Sequence, residues 1–140
     1  MNAKQILILN GPNLNLLGNR EESIYGAKSF EEFYVELESK FDTISLNYCQ
    51  TNYEGELVTQ IQNLNHKYDG IVINAGGYTH TSVAIRDAIK STLTPVIEVH
   101  ISNLLARETF RHESMLSAVC QGCIFGFGLK GYELALNYFK

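Results

Sequence analysis

Short apolar runs alternate along this chain with longer stretches whose apolar residues return every third or fourth position. That is the rhythm of βαβ units around a parallel sheet buried on both faces. Ile6 to Leu9 is the first strand, and Phe30 to Phe41 follows as an amphipathic helix with Phe30, Phe33, Tyr34, Leu37 and Phe41 on its apolar face. Ile44 to Tyr48 reads as the second strand, Glu54 to His66 as a helix, and Gly70 to Asn74 as the third strand. Thr81 to Ser91 reads as a helix that Thr79 or Thr81 would cap. Pro95 to Val99 is the fourth strand, Leu104 to Phe110 a short helical segment, Ala118 to Phe127 the fifth strand, and Gly131 to Phe139 a closing helix. The pattern predicts an α/β protein of five strands and about five helices, without repeats. Asn10 to Lys28 is the longest stretch lacking a period, and a loop that long inside a compact domain is usually functional.

Composition narrows the class. At 140 residues, 45% hydrophobic and 19% charged, the chain suits one catalytic-sized domain, residues 1–140, with enough apolar material for a core. A net charge of -4 with eleven scattered Lys and Arg offers no basic stripe, so no nucleic-acid partner is expected. No run of eighteen apolar residues exists, so no membrane partner is expected either. Met1 to Lys4 leads into the first strand without a signal-peptide pattern, so a cytoplasmic location is expected. Three cysteines argue against a secreted disulfide framework. Cys120-Gln-Gly-Cys123 runs into the β-like Ile124 to Phe127 instead of opening a helix, which favours a packed strand interior over a redox or metal role.

In open parallel sheets ligands bind beyond the carboxyl ends of the strands, near the point where strand order reverses. Those ends are polar and turn-rich here: Asn10-Gly-Pro-Asn13, Asn74-Ala-Gly-Gly-Tyr-Thr-His80 and Glu98-Val-His-Ile-Ser-Asn103. Gly76 and Gly77 permit close approach of backbone to a ligand. His100 ends the fourth strand and carries the one side chain that titrates near neutrality unperturbed. Glu98, two residues earlier on the same strand face, is expected to orient it. Glu-x-His is also half of a metal site, but no third and fourth ligands stand at suitable spacing along the chain, so no metal is expected.

Asn10-Gly-Pro-Asn-Leu-Asn-Leu-Leu-Gly18, Asn74-Ala-Gly-Gly-Tyr-Thr-His-Thr-Ser-Val-Ala84 with Asp87, and Glu98-Val-His-Ile-Ser-Asn103 resemble the motifs of the type II 3-dehydroquinate dehydratases. The likeness continues through Arg20-Glu21, Tyr25-Gly26, Glu54-Gly55, Arg107, Phe110-Arg111, Gly126-Phe-Gly128 and Gly131-Tyr132, and so covers nearly the whole chain. It implies a flavodoxin-like three-layer sandwich with sheet order 2-1-3-4-5. The implied activity is loss of water from 3-dehydroquinate to give 3-dehydroshikimate, by anti elimination through an enolate, with no cofactor, metal or imine. It also implies a homododecamer built from trimers.

By that resemblance Tyr25 is the base, His100 the acid, Arg20 the transition-state stabiliser, and Asn13, with the backbone near Pro12 and Ala75, holds a water for the enolate. Ionising a tyrosine at neutral pH costs about 4 kcal/mol, and Arg20 in the same loop, with Arg107, would supply the positive field that lowers this. Asn74, His80, Asp87, Ile101, Ser102 and Arg111 match the substrate-binding positions. Arg20 to Gly26 would form a lid carrying the base. Two positions depart from the family pattern: Glu22, where proline is common, and Leu105, where histidine is frequent.

Other functions for this topology fit less well. A phosphoacceptor receiver needs acidic residues where Asn10 and Asn74 stand, and a flavin carrier needs a Ser/Thr/Gly-rich loop after the first strand.

Overall fold

The computed structural model describes residues 3–18 and 28–140. Five parallel strands form one sheet in the order β2-β1-β3-β4-β5: β1 (Lys4–Asn10), β2 (Ile44–Gln50), β3 (Gly70–Asn74), β4 (Val96–His100) and β5 (Gly122–Phe125). The helices are α1 (Phe30–Lys40), α2 (Glu54–Gln62), α3 (Val83–Ser91) and α4 (Lys130–Phe139). The architecture is the flavodoxin-like three-layer sandwich.

Alternation along the strands divides the core in two. Ile6 and Ile8 of β1 point, with Val72, Ile97 and Val99, into a layer filled by Phe30, Phe33 and Leu37 of α1 and Tyr132, Leu136 and Phe139 of α4. Leu7 and Leu9 point the other way, with Ile71 and Ile73, against Leu57 and Ile61 of α2 and Ile85 and Ile89 of α3. The central strands β1, β3 and β4 are therefore almost continuously apolar, whereas the edge strands β2 and β5 are only half-buried.

The chain leaves β1 toward β2 on one side and returns to β3 on the other, so strand order reverses between β1 and β3. Their register ends on the pair Asn10 and Asn74, which sets two carboxamides side by side at the carboxyl edge of that gap.

Several boundaries differ from the sequence pattern, each for a local reason. α2 stops at Gln62 rather than His66 because Asn63 turns left-handed (φ 49°) and its side chain bonds Tyr68 and Thr94. α3 starts at Val83, capped by neither Thr79 nor Thr81 but by Ser82, whose hydroxyl accepts from the Ile85 amide and donates to Glu54 of α2. Leu104 to Phe110 is two separate 3-10 turns, Leu104–Ala106 and Thr109–Arg111. The fifth strand shrinks to Gly122–Phe125, preceded by another 3-10 turn at Ser117–Val119. Cys120 and Cys123 consequently do not fill a strand interior: Cys120 precedes β5, and Cys123 is exposed on this edge strand.

Candidate active site

The floor of the site is a buried hydrogen-bond chain at the strand ends. The Tyr132 phenol, brought up from α4 and fully buried, donates to Asn10 Oδ1 at 2.8 Å and accepts from Asn74 Nδ2 at 3.0 Å. Burial pushes this phenol far above its ordinary pKa, so it stays neutral and keeps its proton to donate. Asn74 Oδ1 in turn accepts from the Gly76 amide at 3.1 Å, which fixes the orientation of its carboxamide. Above this floor the loops after β1 and β3 touch backbone to backbone. A Cβ on Gly11 would stand 2.7 Å from the Ala75 carbonyl oxygen, and Gly76 adopts φ +60° against the Pro12 carbonyl. Asn13 also turns left-handed, at φ 71°, with its amide donating to Asn52 Oδ1 at 3.1 Å.

The end of β4 supplies the charged centre. Glu98 is 0% exposed and His100 only 4%, and His100 Nε2 lies 2.5 Å from Glu98 Oε2. A carboxylate only accepts, so Nε2 carries the proton between them, and Nδ1 is the nitrogen left for a ligand. Thr79 donates to Glu98 Oε2 at 3.3 Å. Ser114 donates to both carboxylate oxygens at 2.8 and 3.1 Å, and Ser117 to Oε1 at 2.5 Å. Burial alone would raise the pKa of Glu98. The hydrogen bond and charge of His100 and the hydroxyls of Ser117 and Ser114 outweigh it and hold the carboxyl below its usual range.

A cavity opens over this centre between Pro12, Asn13, Asn74 and Gly76 on one side and His80, His100, Ile101, Ser102, Arg107 and Arg111 on the other. The His80 ring lies 6.5 Å from that of His100; its Nδ1 donates to the Glu113 carbonyl at 2.7 Å, which leaves Nε2 for a ligand. Arg107 donates to Ser102 Oγ at 3.3 Å, which leaves the Ser102 hydroxyl proton for an acceptor in the cavity. Arg111 is held at 3.1 Å by Glu108 and lies over the Phe110 ring. The wall thus presents two guanidinium groups, a hydroxyl donor, two imidazoles and two carboxamides, a set suited to an anionic ligand rich in hydroxyls.

Most of the residues singled out from sequence converge here: Asn13, Asn74, His80, His100, Ile101, Ser102 and Arg111 line the cavity, with Glu98 directly behind His100. Asp87 does not. It is exposed on α3, away from the cavity of its own chain. Arg20, Glu22 and Tyr25, and with them the lid, lie outside the described residues. Sequence reading missed Thr79, Ser114 and Ser117 around Glu98, and Tyr132 beneath the asparagines. It also found no third metal ligand, whereas Cys123 brings one: ligand atoms of Glu98, His100 and Cys123 lie within 4.8 Å of one another.

The family model described as Dehydroquinase class II matches residues 4–140. A 3-dehydroquinate dehydratase of Exiguobacterium sp. is 53% identical over 134 residues, spanning 95% of this chain and 92% of that protein. One of Clostridium perfringens is 50% identical over 139 residues, spanning 97% and 96%. Among solved structures, a type II dehydroquinase from Butyrivibrio crossotus superposes with TM-score 0.93 at 46% identity, covering 97% of each chain. One from Propionibacterium acnes gives 0.92 at 42% identity, covering 99% and 97%.

Proposed function

The chain belongs to the class II dehydroquinase family and is a hydro-lyase, and we propose that it converts 3-dehydroquinate to 3-dehydroshikimate, a shikimate-pathway step toward chorismate and the aromatic amino acids. The observation that carries this reading is the imidazole of His100, clamped by a buried carboxylate and facing a cavity lined by Asn74, His80, Ser102 and Arg111.

The reaction breaks the C–H bond next to the ketone and the C–O bond of the departing hydroxyl, on opposite faces of the ring. Tyr25 takes the proton as its phenolate, stabilised by Arg20, and the electron pair moves onto the ketone oxygen as an enolate. A water held near Asn13 and the Pro12 backbone meets that charge, which appears only during reaction. His100 then protonates the leaving hydroxyl from Nδ1. Glu98 accepts from Nε2 and so fixes the ring that presents Nδ1 to the hydroxyl, which makes it a positioning residue. The Ile101 and Ser102 amides with the Ser102 hydroxyl take the carboxylate, while Asn74, His80 and Arg111 hold the ring hydroxyls. Asp87, facing outward, completes a neighbouring copy's site.

No metal or imine takes part in this scheme. No lysine is among the described residues lining the cavity, so borohydride with substrate should give no lysine adduct; an adduct overturns the tyrosine mechanism. Incubation with 3-dehydroquinate should produce the ultraviolet absorbance of a conjugated enone, abolished by Tyr25→Phe and by His100→Ala. Absence of that signal in the unaltered protein overturns the assignment. We further propose a cytoplasmic homododecamer, a tetramer of trimers, with no nucleic-acid or membrane partner.

A further inference from the structure

We propose that Glu98, His100 and Cys123 together bind one thiophilic divalent cation of the zinc class, and that the bound ion inhibits turnover. The inhibition rests on the dehydratase reading; the binding does not.

The site arises from sheet register. Glu98 of β4 and Cys123 of β5 are direct partners on adjacent parallel strands, so their side chains share a face, and His100, two residues after Glu98, shares it too. The ligand atoms already lie within 4.8 Å of one another. Oxygen, imidazole nitrogen and sulfur are the donor set zinc takes, while magnesium and calcium take oxygen alone. Charge balances as well: one carboxylate and one thiolate neutralise a divalent ion, with the imidazole neutral. A tetrahedral ion sets its ligands about 3.5 Å apart, so the 2.5 Å contact between His100 Nε2 and Glu98 Oε2 opens by about 1 Å while the sulfur closes in. Ser114 and Ser117 remain on Glu98 as the outer shell that orients it.

Partial burial of its sulfur on the Glu98 face, the Glu98 charge and a hydrogen bond to Glu98 push the Cys123 thiol up to about 11, although the residue as a whole is exposed. The cation cancels the charge that holds that proton on, and a coordinating thiol gives it up. Solvent reaches Cys123 from the outer edge of the sheet, which gives the ion its approach. Once Nε2 bonds the ion, a proton on Nδ1 belongs to a neutral imidazole and leaves only by forming an imidazolate. Such a ring is a far weaker acid toward the departing hydroxyl.

The experiment titrates the purified protein with cadmium and reads the ultraviolet charge-transfer absorption of a cadmium thiolate, then repeats turnover of 3-dehydroquinate with added zinc. One equivalent of cadmium should bring up the band in the unaltered protein and in Cys120→Ser, but not in Cys123→Ser. Zinc should lower kcat with little change in KM, EDTA should restore it, and magnesium should have no effect. Cys123→Ser should raise the half-inhibiting zinc concentration by more than about tenfold, since losing a ligand exceeds the cost of losing an outer-shell partner. His100→Ala, checked for folding by circular dichroism, should weaken cadmium binding comparably. The proposal is overturned if the unaltered protein shows no band, if the band follows Cys120, or if zinc inhibits Cys123→Ser equally well. A protein without dehydratase turnover fails the functional reading alone, because the band reports binding without it.

Discussion

Glu98 is a carboxylate without solvent and with donors on both oxygens, so its charge is maintained by its neighbours alone. Glu98→Gln keeps the shape and removes the carboxylate that holds the His100 Nε2–H. It should lower kcat by about a hundredfold, part of the worth of a general acid, while KM moves little. The same residue makes stability depend on pH. Its carboxyl sits below the usual range in the folded protein. The stability it contributes is therefore fully present above the unfolded carboxylate range and is lost as pH falls through the folded value. Melting temperature measured from neutral pH downward should fall on the acid side in the unaltered protein, and less steeply in Glu98→Gln. A parallel fall in both proteins would place the acid sensitivity elsewhere.

Tyr132→Phe removes one hydroxyl and leaves Asn10 Oδ1 and Asn74 Nδ2 facing each other's vacancy. About 1–3 kcal/mol of stability should be lost in urea unfolding, and KM should rise as the Asn74 carboxamide loses one of its two anchors, keeping only the Gly76 amide. His100 and Glu98 were legible in the sequence because spacing of two on a strand dictates a shared face. Thr79, Ser114, Ser117 and Cys123 were not, because they reach Glu98 from other segments, at separations that only sheet register and loop packing determine.

At the scale of elements, the apolar period located the five strands and four α-helices among the described residues but not their 3-10 turns, while side-chain hydrogen bonds set where several of them end. Ser82 shows the difference: Thr79 and Thr81 were equally plausible caps by composition, yet Thr79 is buried against Glu98, and Ser82 is the one able to serve α3 and reach Glu54 of α2. Ser82→Ala should cost about 1–2 kcal/mol in chemical unfolding, more than a solvent-facing cap, because it also frees the Glu54 contact. Gly11→Ala should be worse for function than for the core. Its new methyl meets the Ala75 carbonyl rather than a yielding side chain, so the β1 and β3 loops must part and substrate affinity should drop.

For the whole molecule, the order β2-β1-β3-β4-β5 puts the reversal between β1 and β3, and the cavity is lined by the ends of β3 and β4 and the segments that follow β1, β3 and β4. Sequence reading anticipated this order. Asp87 is exposed and absent from the cavity lining, so the role proposed for it depends on the proposed assembly. Light scattering should give the mass of twelve chains, and a stable monomer would remove the shared-site role proposed for Asp87.

The link from Tyr132 to Asn10 and Asn74 joins positions far apart in order of synthesis. A ribosome delivers both asparagines well before the helix that aligns them. A nascent chain halted short of Lys130 would carry nearly all the groups that line the cleft, yet its Asn74 amide would be held by the Gly76 amide alone, without the buried phenol that takes its Nδ2. Ligand recognition would therefore switch on late in translation, when α4 docks, and not gradually as the strands emerge.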